Sequence, residues 1–229
     1  MVVAFGQILP KALLDVPDRG SINVHASLLP RYRGAAPVAW ALIRGETETG
    51  VTTFLMDEGM DTGPILLQER TPILSEETAG ELAQRLSLMG AAVLLRTLDS
   101  LDRLTPVPQN SELATLAPRL RKEDGRLSWD EPAQALVSRV RGCNPWPGAA
   151  ARWRGGRLLI WRAEALDEGA EAEPGTLVES RSRRLAVATP KGLLLPLEVQ
   201  PESRRPMAWE EFLNGSRLKA GDRFDPRRS

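Results

Sequence analysis

Apolar residues in the first half of this chain fall into short runs that predict strands. Residues 2–5 and Ile22–His25 are two such runs, and residues typical of turns lie beside them. Residues 51–56 are rich in β-branched side chains and predict a third strand. Residues 65–73 predict a fourth, which begins after a Gly-Pro turn.

Helical patterns alternate with these runs. The strongest begins at Thr78, because Thr78 and Glu81 form a capping-box pair and apolar residues then recur at helical spacing to about residue 100. Shorter helices are predicted over 11–14, 37–44 and 132–141. Alternation of strands and helices is typical of an α/β fold, so we expect a partial doubly wound, mainly parallel sheet over residues 1–103. Since this sheet is short and would leave an apolar flank uncovered, we expect it to lack an N-terminal portion.

The second half has a different pattern. Short apolar runs at 157–164, 175–179, 185–188 and 193–199 are separated by glycine, proline and acidic turns. This spacing predicts a small antiparallel barrel or sandwich over residues 126–229. Between the halves, residues 104–125 lose their periodicity and contain several prolines, so we expect a linker there.

Composition and charge narrow the class of protein. The 229 residues include one cysteine and one histidine, which excludes a disulfide framework and most structural zinc sites, and we expect no metal. The apolar runs are shorter than the roughly 18 residues of a membrane span, and no secretory leader is expected. Residues 1–118 carry 9 basic and 14 acidic side chains, whereas the remainder carries 21 and 16. This asymmetry indicates different partners for the two halves without identifying them.

Two polar side chains on one strand form the most informative candidate site. Asn23 and His25 are two residues apart, so their side chains leave the strand on the same face. Asp61 lies in a turn after the next strand and is expected to reach the same crevice. A simpler interpretation stays open, in which His25 is a structural histidine at a strand end and Asp57 and Glu58 are turn-forming acids.

Longer motifs around these residues resemble the folate-dependent formyltransferases. Asn-Val-His at 23–25 is followed by Ser-Leu-Leu-Pro at 27–30 and by Asp-Glu-Gly-x-Asp-Thr-Gly-Pro at 57–64. The chain is most similar to the members that formylate methionyl-tRNA, at residues 2–10, at Arg-Tyr-Arg-Gly-Ala-Ala-Pro (31–37), at 126–129 and at Asn-Pro-Trp-Pro-Gly (144–148). The resemblance covers nearly the whole chain.

The resemblance implies a formyltransferase core followed by an OB-like, tRNA-binding β-barrel. In such an enzyme Asn23 and His25 would stabilise a tetrahedral intermediate, and Asp61 would assist proton transfer. The formyl donor would be 10-formyltetrahydrofolate, and the acceptor would be the α-amine of initiator methionyl-tRNA. Family members begin with a further portion of the catalytic domain, so residues 1–103 would form that domain without its N-terminal part.

The resemblance also implies binding residues for both substrates. The expected folate-binding residues are Gln7, Ile8, Leu9, Ser27, Leu28, Leu29, Pro30 and Asp57. The residues expected to contact tRNA phosphates are Arg31, Arg33, Arg119, Arg121 and Lys122. We expect a monomer of the bacterial cytosol or an organellar matrix, without a membrane partner.

Two other functions stay open at this point. A formyltransferase that acts on an amino sugar or a ribonucleotide amine would share Asn23, His25 and Asp61, although the basic second half disfavours it. A catalytically silent RNA-binding remnant is the other alternative, because the expected sheet is incomplete.

Overall fold

The computed structural model describes residues 1–2 and 9–225, and the chain forms two compact units. The first unit comprises residues 1–41 and 46–120, and the second comprises residues 42–45 and 121–229. None of the helices in residues 9–225 combines the length and the apolar character needed to cross a membrane.

The first unit contains one three-stranded sheet and one long helix. Its elements are α1 (Lys11–Leu14), β1 (Ile22–His25), α2 (Pro37–Ile43), β2 (Glu48–Leu55), β3 (Ile65–Pro72) and α3 (Ala79–Ser100). The order of the strands is β1-β2-β3. The predicted strand over 2–5 falls mostly outside the described residues.

The strands of this sheet pair antiparallel, so the predicted mainly parallel sheet is wrong for the described residues. Asn23 lies opposite Phe54 in the β1–β2 pair, and β2 returns as β3 through residues 56–64. A connection of this length forms a hairpin, whereas a parallel pair needs a crossover of about a dozen residues or more. A parallel bridge joins Val2 to Asn23 outside the named strands.

Helix α3 covers the face of the sheet that carries Val24. Its predicted capping box is confirmed, with Thr78 as the N-cap residue and Glu81 as its partner. Gly90 allows the close approach, because a Cβ atom at this position would lie 3.1 Å from Cγ1 of Val24. Since neighbouring side chains of a strand point to opposite faces, Asn23 and His25 leave β1 on the face away from α3.

The second unit is a curled antiparallel sheet with two helices. Its elements are α4 (Ala133–Gly142), β4 (Ala149–Trp153), β5 (Gly156–Leu166), β6 (Leu177–Glu179), β7 (Leu185–Ala188), β8 (Leu193–Pro201), β9 (Met207–Ala208) and α5 (Trp209–Ser216). The strand order is β4-β5-β8-β7-β6, and β9 pairs with β8. Leu136, Ile160, Leu194 and Trp209 are fully buried in its core, which accounts for the apolar runs of the sequence.

The antiparallel prediction for this unit is confirmed, but the sheet is a half-barrel. In the part of the chain that the structure describes, the end strands β4 and β6 do not pair with each other. An extended segment at 221–225 lies between them instead. The N–H of Leu177 donates to the carbonyl of Asp222 at 2.7 Å, and the N–H of Asp225 donates to the carbonyl of Arg152 at 3.1 Å. The ring of Phe224 packs 4.8 Å from Trp129, so the segment is also held by apolar contact.

Candidate active site

The imidazole of His25 is held between a backbone carbonyl and a carboxylate. Its Nε2 lies 2.8 Å from the carbonyl oxygen of Tyr32, and its Nδ1 lies 3.6 Å from Oδ2 of Asp61. The residue is 7% exposed. Because a carbonyl oxygen only accepts hydrogen bonds, the contact assigns a proton to Nε2. Nδ1, the other ring nitrogen, faces Asp61.

The two residues that flank the imidazole both have left-handed backbone conformations. The φ angle is +62° at Tyr32 and +55° at Asp61. Such residues cost on the order of 1–3 kcal/mol each and cluster at functional sites, where the surrounding structure holds them. The N–H of Tyr32 donates to Oγ1 of Thr115 at 2.9 Å, and its hydroxyl donates to Glu46 at 2.6 Å. These bonds fix the carbonyl that orients His25.

The carboxylate of Asp61 is bound to the loop that follows β1. Its Oδ2 accepts a hydrogen bond from the N–H of Gly34 at 2.8 Å. The same oxygen is the one that faces His25, and the side chain is 15% exposed. The structure thus brings two of the three predicted catalytic side chains together from segments that are 36 residues apart in the sequence.

Asn23 contributes an unpaired polar atom on the same face of β1. Its side-chain Oδ1 is buried and makes no hydrogen bond to the described residues. A buried polar atom without a partner costs about 1–3 kcal/mol, so native structures retain few of them. The unpaired atom is an acceptor, and the amide nitrogen of the same side chain is its donor.

The loop at residues 27–32 is held by the side chains of the neighbouring strands. The hydroxyl of Ser27 is buried and donates to the carbonyl of Arg31 at 2.6 Å. The N–H of Leu29 donates to Oγ1 of Thr52 at 3.2 Å, and the amide of Gln68 donates to the carbonyl of Leu29 at 2.8 Å. The four predicted folate residues of this loop therefore have a fixed backbone next to β1.

The other predicted folate residues have different surroundings. Gln7 and Ile8 lie outside the described residues, and Leu9 is half-buried. Asp57 is exposed, and its Oδ1 accepts hydrogen bonds from the N–H of Gly59 at 3.1 Å and the hydroxyl of Thr62 at 2.6 Å. These bonds close the turn that leads to Asp61.

A cavity of about 370 Å³ adjoins the same loop on another side. Its lining residues include Leu28, Leu29, Pro30, Gln68 and Arg70. Asn23, His25 and Asp61 do not line it. The cavity is therefore separate from the three predicted catalytic side chains.

The predicted tRNA-binding residues divide into exposed and buried groups. Arg119, Arg121 and Lys122 are exposed. Arg31 is about half-exposed and forms an ion pair with Glu46. Arg33 is 8% exposed, and its guanidinium donates to Oε1 of Gln109. The prediction that Arg33 contacts tRNA phosphate is corrected on this ground, because its donors are directed into the protein.

The segment predicted as a linker over 104–125 forms hydrogen bonds to the loops of the site. The N–H of Arg33 donates to the carbonyl of Thr115 at 2.8 Å, and the N–H of Ala117 donates to the carbonyl of Arg33 at 2.7 Å. Gln109 belongs to the same segment. Sequence reasoning missed these contacts, because no local pattern connects residues that lie about 80 positions apart.

Cysteine and metal chemistry find no support in the described residues. Residues 9–225 contain no cluster of three or more histidine, cysteine and acidic side chains that would hold a metal ion. Cys143 is buried, and burial raises the pKa of its thiol to about 12. The thiol is therefore neutral at physiological pH and is a poor nucleophile.

We expect Cys143 to be protected from thiol reagents. At pH 8 the native protein should react with dithionitrobenzoate at least about a hundredfold more slowly than the chain unfolded in urea, because the reactive species is the thiolate. The measurement is the rate of thionitrobenzoate release in the two conditions. Equal rates would contradict the burial of this thiol.

Comparison with known proteins identifies the family. The model for the formyl transferase domain matches residues 1–98, and the model for the formyl transferase C-terminal domain matches residues 119–217. The chain belongs to the formyl transferase family. Curated relatives named methionyl-tRNA formyltransferase share 45–49% identity with it. The relative from Solibacter usitatus is 47% identical over 226 residues, which are 98% of this chain and 72% of that protein.

Solved structures share the fold, among them a methionyl-tRNA formyltransferase. Methionyl-tRNA formyltransferase from Clostridium thermocellum matches with a TM-score of 0.60 at 18% identity, over 86% of this chain and 74% of that chain. HypX from Aquifex aeolicus, in complex with tetrahydrofolic acid, matches with a TM-score of 0.61 at 19% identity. This match covers 90% of the present chain but 38% of HypX. Family membership supports formyl transfer as the reaction of this chain.

Proposed function

We propose that this chain transfers a formyl group from 10-formyltetrahydrofolate to the α-amine of methionyl-tRNA. The observation that carries the proposal is the approach of Asp61 to within 3.6 Å of His25, on the face of β1 that also carries Asn23. The name shared by relatives at 45–49% identity supports the choice of acceptor.

The first step needs a neutral amine rather than a strong base. An α-amino group has a reference pKa of about 7.7, so a useful fraction is unprotonated near neutral pH. The lone pair of the amine attacks the formyl carbon, and the electrons of the C=O bond move to oxygen. A tetrahedral intermediate results, with negative charge on oxygen and positive charge on the attacking nitrogen.

Asn23 and His25 would stabilise this intermediate. The side-chain amide of Asn23 donates a hydrogen bond to the oxyanion, and donors of this kind contribute about 3–4 kcal/mol in acyl transfer. Nε2 of His25 is bonded to Tyr32, so a proton on Nδ1 is the one that the ring offers to the intermediate. Oδ2 of Asp61 lies 3.6 Å from Nδ1 and would orient the ring.

The second step moves a proton from the attacking nitrogen to the leaving group. The attacking nitrogen loses a proton, which Asp61 accepts directly or through a water and passes to N10 of the folate. The bond between the formyl carbon and N10 breaks, its electron pair stays on N10, and the C=O bond re-forms. The products are formylmethionyl-tRNA and tetrahydrofolate, so no oxidant is needed.

We assign the two substrates to different parts of the chain. Folate would bind against Gln7, Ile8 and Leu9, residues 27–30 and the turn at Asp57, within a catalytic domain that spans residues 1–103. The half-barrel over 126–229 would bind tRNA. Four basic residues that precede it in the chain would be directed to phosphates, namely Arg31, Arg119, Arg121 and Lys122. Such contacts would weaken steeply with salt and carry little sequence information. We further propose a cytoplasmic monomer.

Formylation assays with alternative acceptors test the proposal. The chain, 10-formyltetrahydrofolate and one acceptor are incubated, and the acceptor is initiator methionyl-tRNA, a nucleotide-linked amino sugar or a ribonucleotide amine. We expect N-formylmethionine after hydrolysis of the tRNA ester, and at least about a hundredfold less product with the other acceptors. Faster reaction with a small amine would overturn the choice of acceptor. Tight tRNA binding without formyl transfer to any acceptor would support the silent RNA-binding remnant instead.

A further inference from the structure

Gln109 makes four hydrogen bonds that join the two loops of the candidate site. Its side-chain N–H groups donate to the carbonyl of Asp61 at 2.8 Å and to the carbonyl of Gly63 at 2.7 Å. Its Oε1 accepts from Nε of Arg33 at 3.0 Å and from Nη2 of Arg33 at 2.7 Å. Both N–H groups of this amide therefore donate, and its oxygen accepts from two nitrogens of a positively charged guanidinium.

These contacts form a closed ring around Asp61. Gln109 connects the backbone of Asp61 to the side chain of Arg33, and the next residue, Gly34, donates its N–H to the carboxylate of Asp61. Gln109 thus holds the backbone of Asp61, and Gly34 holds its side chain. This ring of contacts includes Oδ2 of Asp61, the atom that faces Nδ1 of His25.

The ring holds a conformation that Asp61 does not favour on its own. The φ angle of +55° is uncommon for a residue with a side chain. The donors on the carbonyls of Asp61 and Gly63 and the donor on the carboxylate offset that preference. Arg33, the partner of the Gln109 oxygen, is buried, so solvent does not compete for its guanidinium.

We propose that Gln109, anchored by Arg33, is a positioning residue that aims the carboxylate of Asp61 at His25. The inference rests on the proposed function, because it concerns the same three catalytic side chains. Gln109 does not contact His25 or Asn23 in this account. It acts on the reaction through Asp61 alone.

Two substitutions separate the contacts of Gln109. Gln109→Leu has similar volume and removes all four hydrogen bonds. Gln109→Glu keeps the acceptor for Arg33 but turns an oxygen toward the carbonyls of Asp61 and Gly63. We expect each variant to lower kcat about 10- to 100-fold with KM for both substrates within about threefold, because the misplaced group acts in the chemical step. The matched control is Gln84→Glu, the same chemical change on the exposed surface of α3.

A double variant shows whether Gln109 acts through Asp61. If it does, Gln109→Leu should cause no further loss of kcat in a chain that already carries Asp61→Asn. His25 is the only histidine of the 229 residues, so its ring nitrogens give unambiguous NMR signals. We expect the Nδ1 resonance of Gln109→Leu and Gln109→Glu to move from its native position toward that of Asp61→Asn. A purely structural role would lower the melting temperature without moving this signal.

The outcomes distinguish this inference from the proposed function. Normal kcat in both Gln109 variants, with a large loss in Asp61→Asn, would overturn the positioning role and leave the proposed function intact. Full additivity in the double variant would overturn it as well. Normal kcat in Asp61→Asn itself would instead contradict the proposed catalytic site. If Gln109→Leu does not fold, Gln109→Glu carries the same kinetic and NMR comparisons.

Discussion

Replacing His25 or Asn23 by alanine is expected to lower kcat for formyl transfer at least about a hundredfold. Each change removes a donor that would face the oxyanion, and loss of one such donor costs about 10²–10³ in acyl transfer. The measurement is single-turnover formylation of methionyl-tRNA at saturating folate. Asn214→Ala, an exposed asparagine of α5, serves as the control and should retain the full rate.

The two substitutions are expected to differ in their effect on stability. His25 is buried with both ring nitrogens near oxygen atoms, so His25→Ala leaves the Tyr32 carbonyl without its partner. Asn23→Ala removes a buried oxygen that has no partner among the described residues, and it should leave the free energy of unfolding nearly unchanged. Loss of activity in Asn23→Ala with a native melting temperature would separate catalysis from folding. Turnover within a few fold of native in either variant would refute the assigned roles.

Gly34→Ala is expected to displace the loop that holds Asp61. The φ angle of Gly34 is +122°, and a Cβ atom at this position would lie 2.7 Å from the carbonyl oxygen of Ala117. Because that oxygen belongs to the backbone of the segment over 104–125, the loop must shift. The shift breaks or lengthens the bond from the Gly34 N–H to the carboxylate of Asp61. We expect a loss of about 2 kcal/mol in stability and at least about a tenfold loss of kcat.

A second glycine provides a matched control for this prediction. Gly155 also has a positive φ angle, +78°, but a Cβ atom there would have no neighbour within 4 Å. Gly155→Ala therefore carries backbone strain without a clash, and it should cost about 1 kcal/mol while leaving kcat intact. Thermal unfolding and single-turnover rates measure both effects. Equal kcat in the two variants would contradict the link between Gly34 and the site.

Features set by neighbouring residues could be predicted from the sequence. The capping box of α3 depends on Thr78 and Glu81, which are three positions apart, and it is confirmed. The shared face of Asn23 and His25 follows from the two-residue period of a strand. Helix α5 and strand β4 were not predicted. Three consecutive alanines in β4 give no strand pattern.

The direction of the first sheet could not be predicted from its hydrophobic pattern. Six consecutive residues of β2 are buried, a pattern typical of a parallel strand covered on both sides. Here α3 packs against Val51 on one face, while Thr52 binds the 27–32 loop from the other. An antiparallel strand buried on both faces has the same pattern as a parallel one. The short connection between β2 and β3, residues 56–64, is the feature that distinguishes an antiparallel pair from a parallel one here.

The bracing of the site was also beyond sequence reasoning. Gln109 lies 48 residues from Asp61 and 76 from Arg33 along the chain, in a segment without periodicity. Its four hydrogen bonds depend on how the chain folds back on the first unit. The burial of Arg33 could not be predicted either, because a loop motif does not show whether its arginine is buried or exposed. For this reason the sequence suggested that Arg33 contacts tRNA.

A crystal structure of the chain with a non-reactive analogue of 10-formyltetrahydrofolate would show whether Asn23, His25 and Asp61 surround the formyl group. We expect the formyl oxygen within hydrogen-bond distance of the Asn23 amide, with the formyl carbon beside Nδ1 of His25. An analogue bound elsewhere, for example in the cavity lined by Leu28 and Arg70, with Asn23 and His25 untouched, would contradict it.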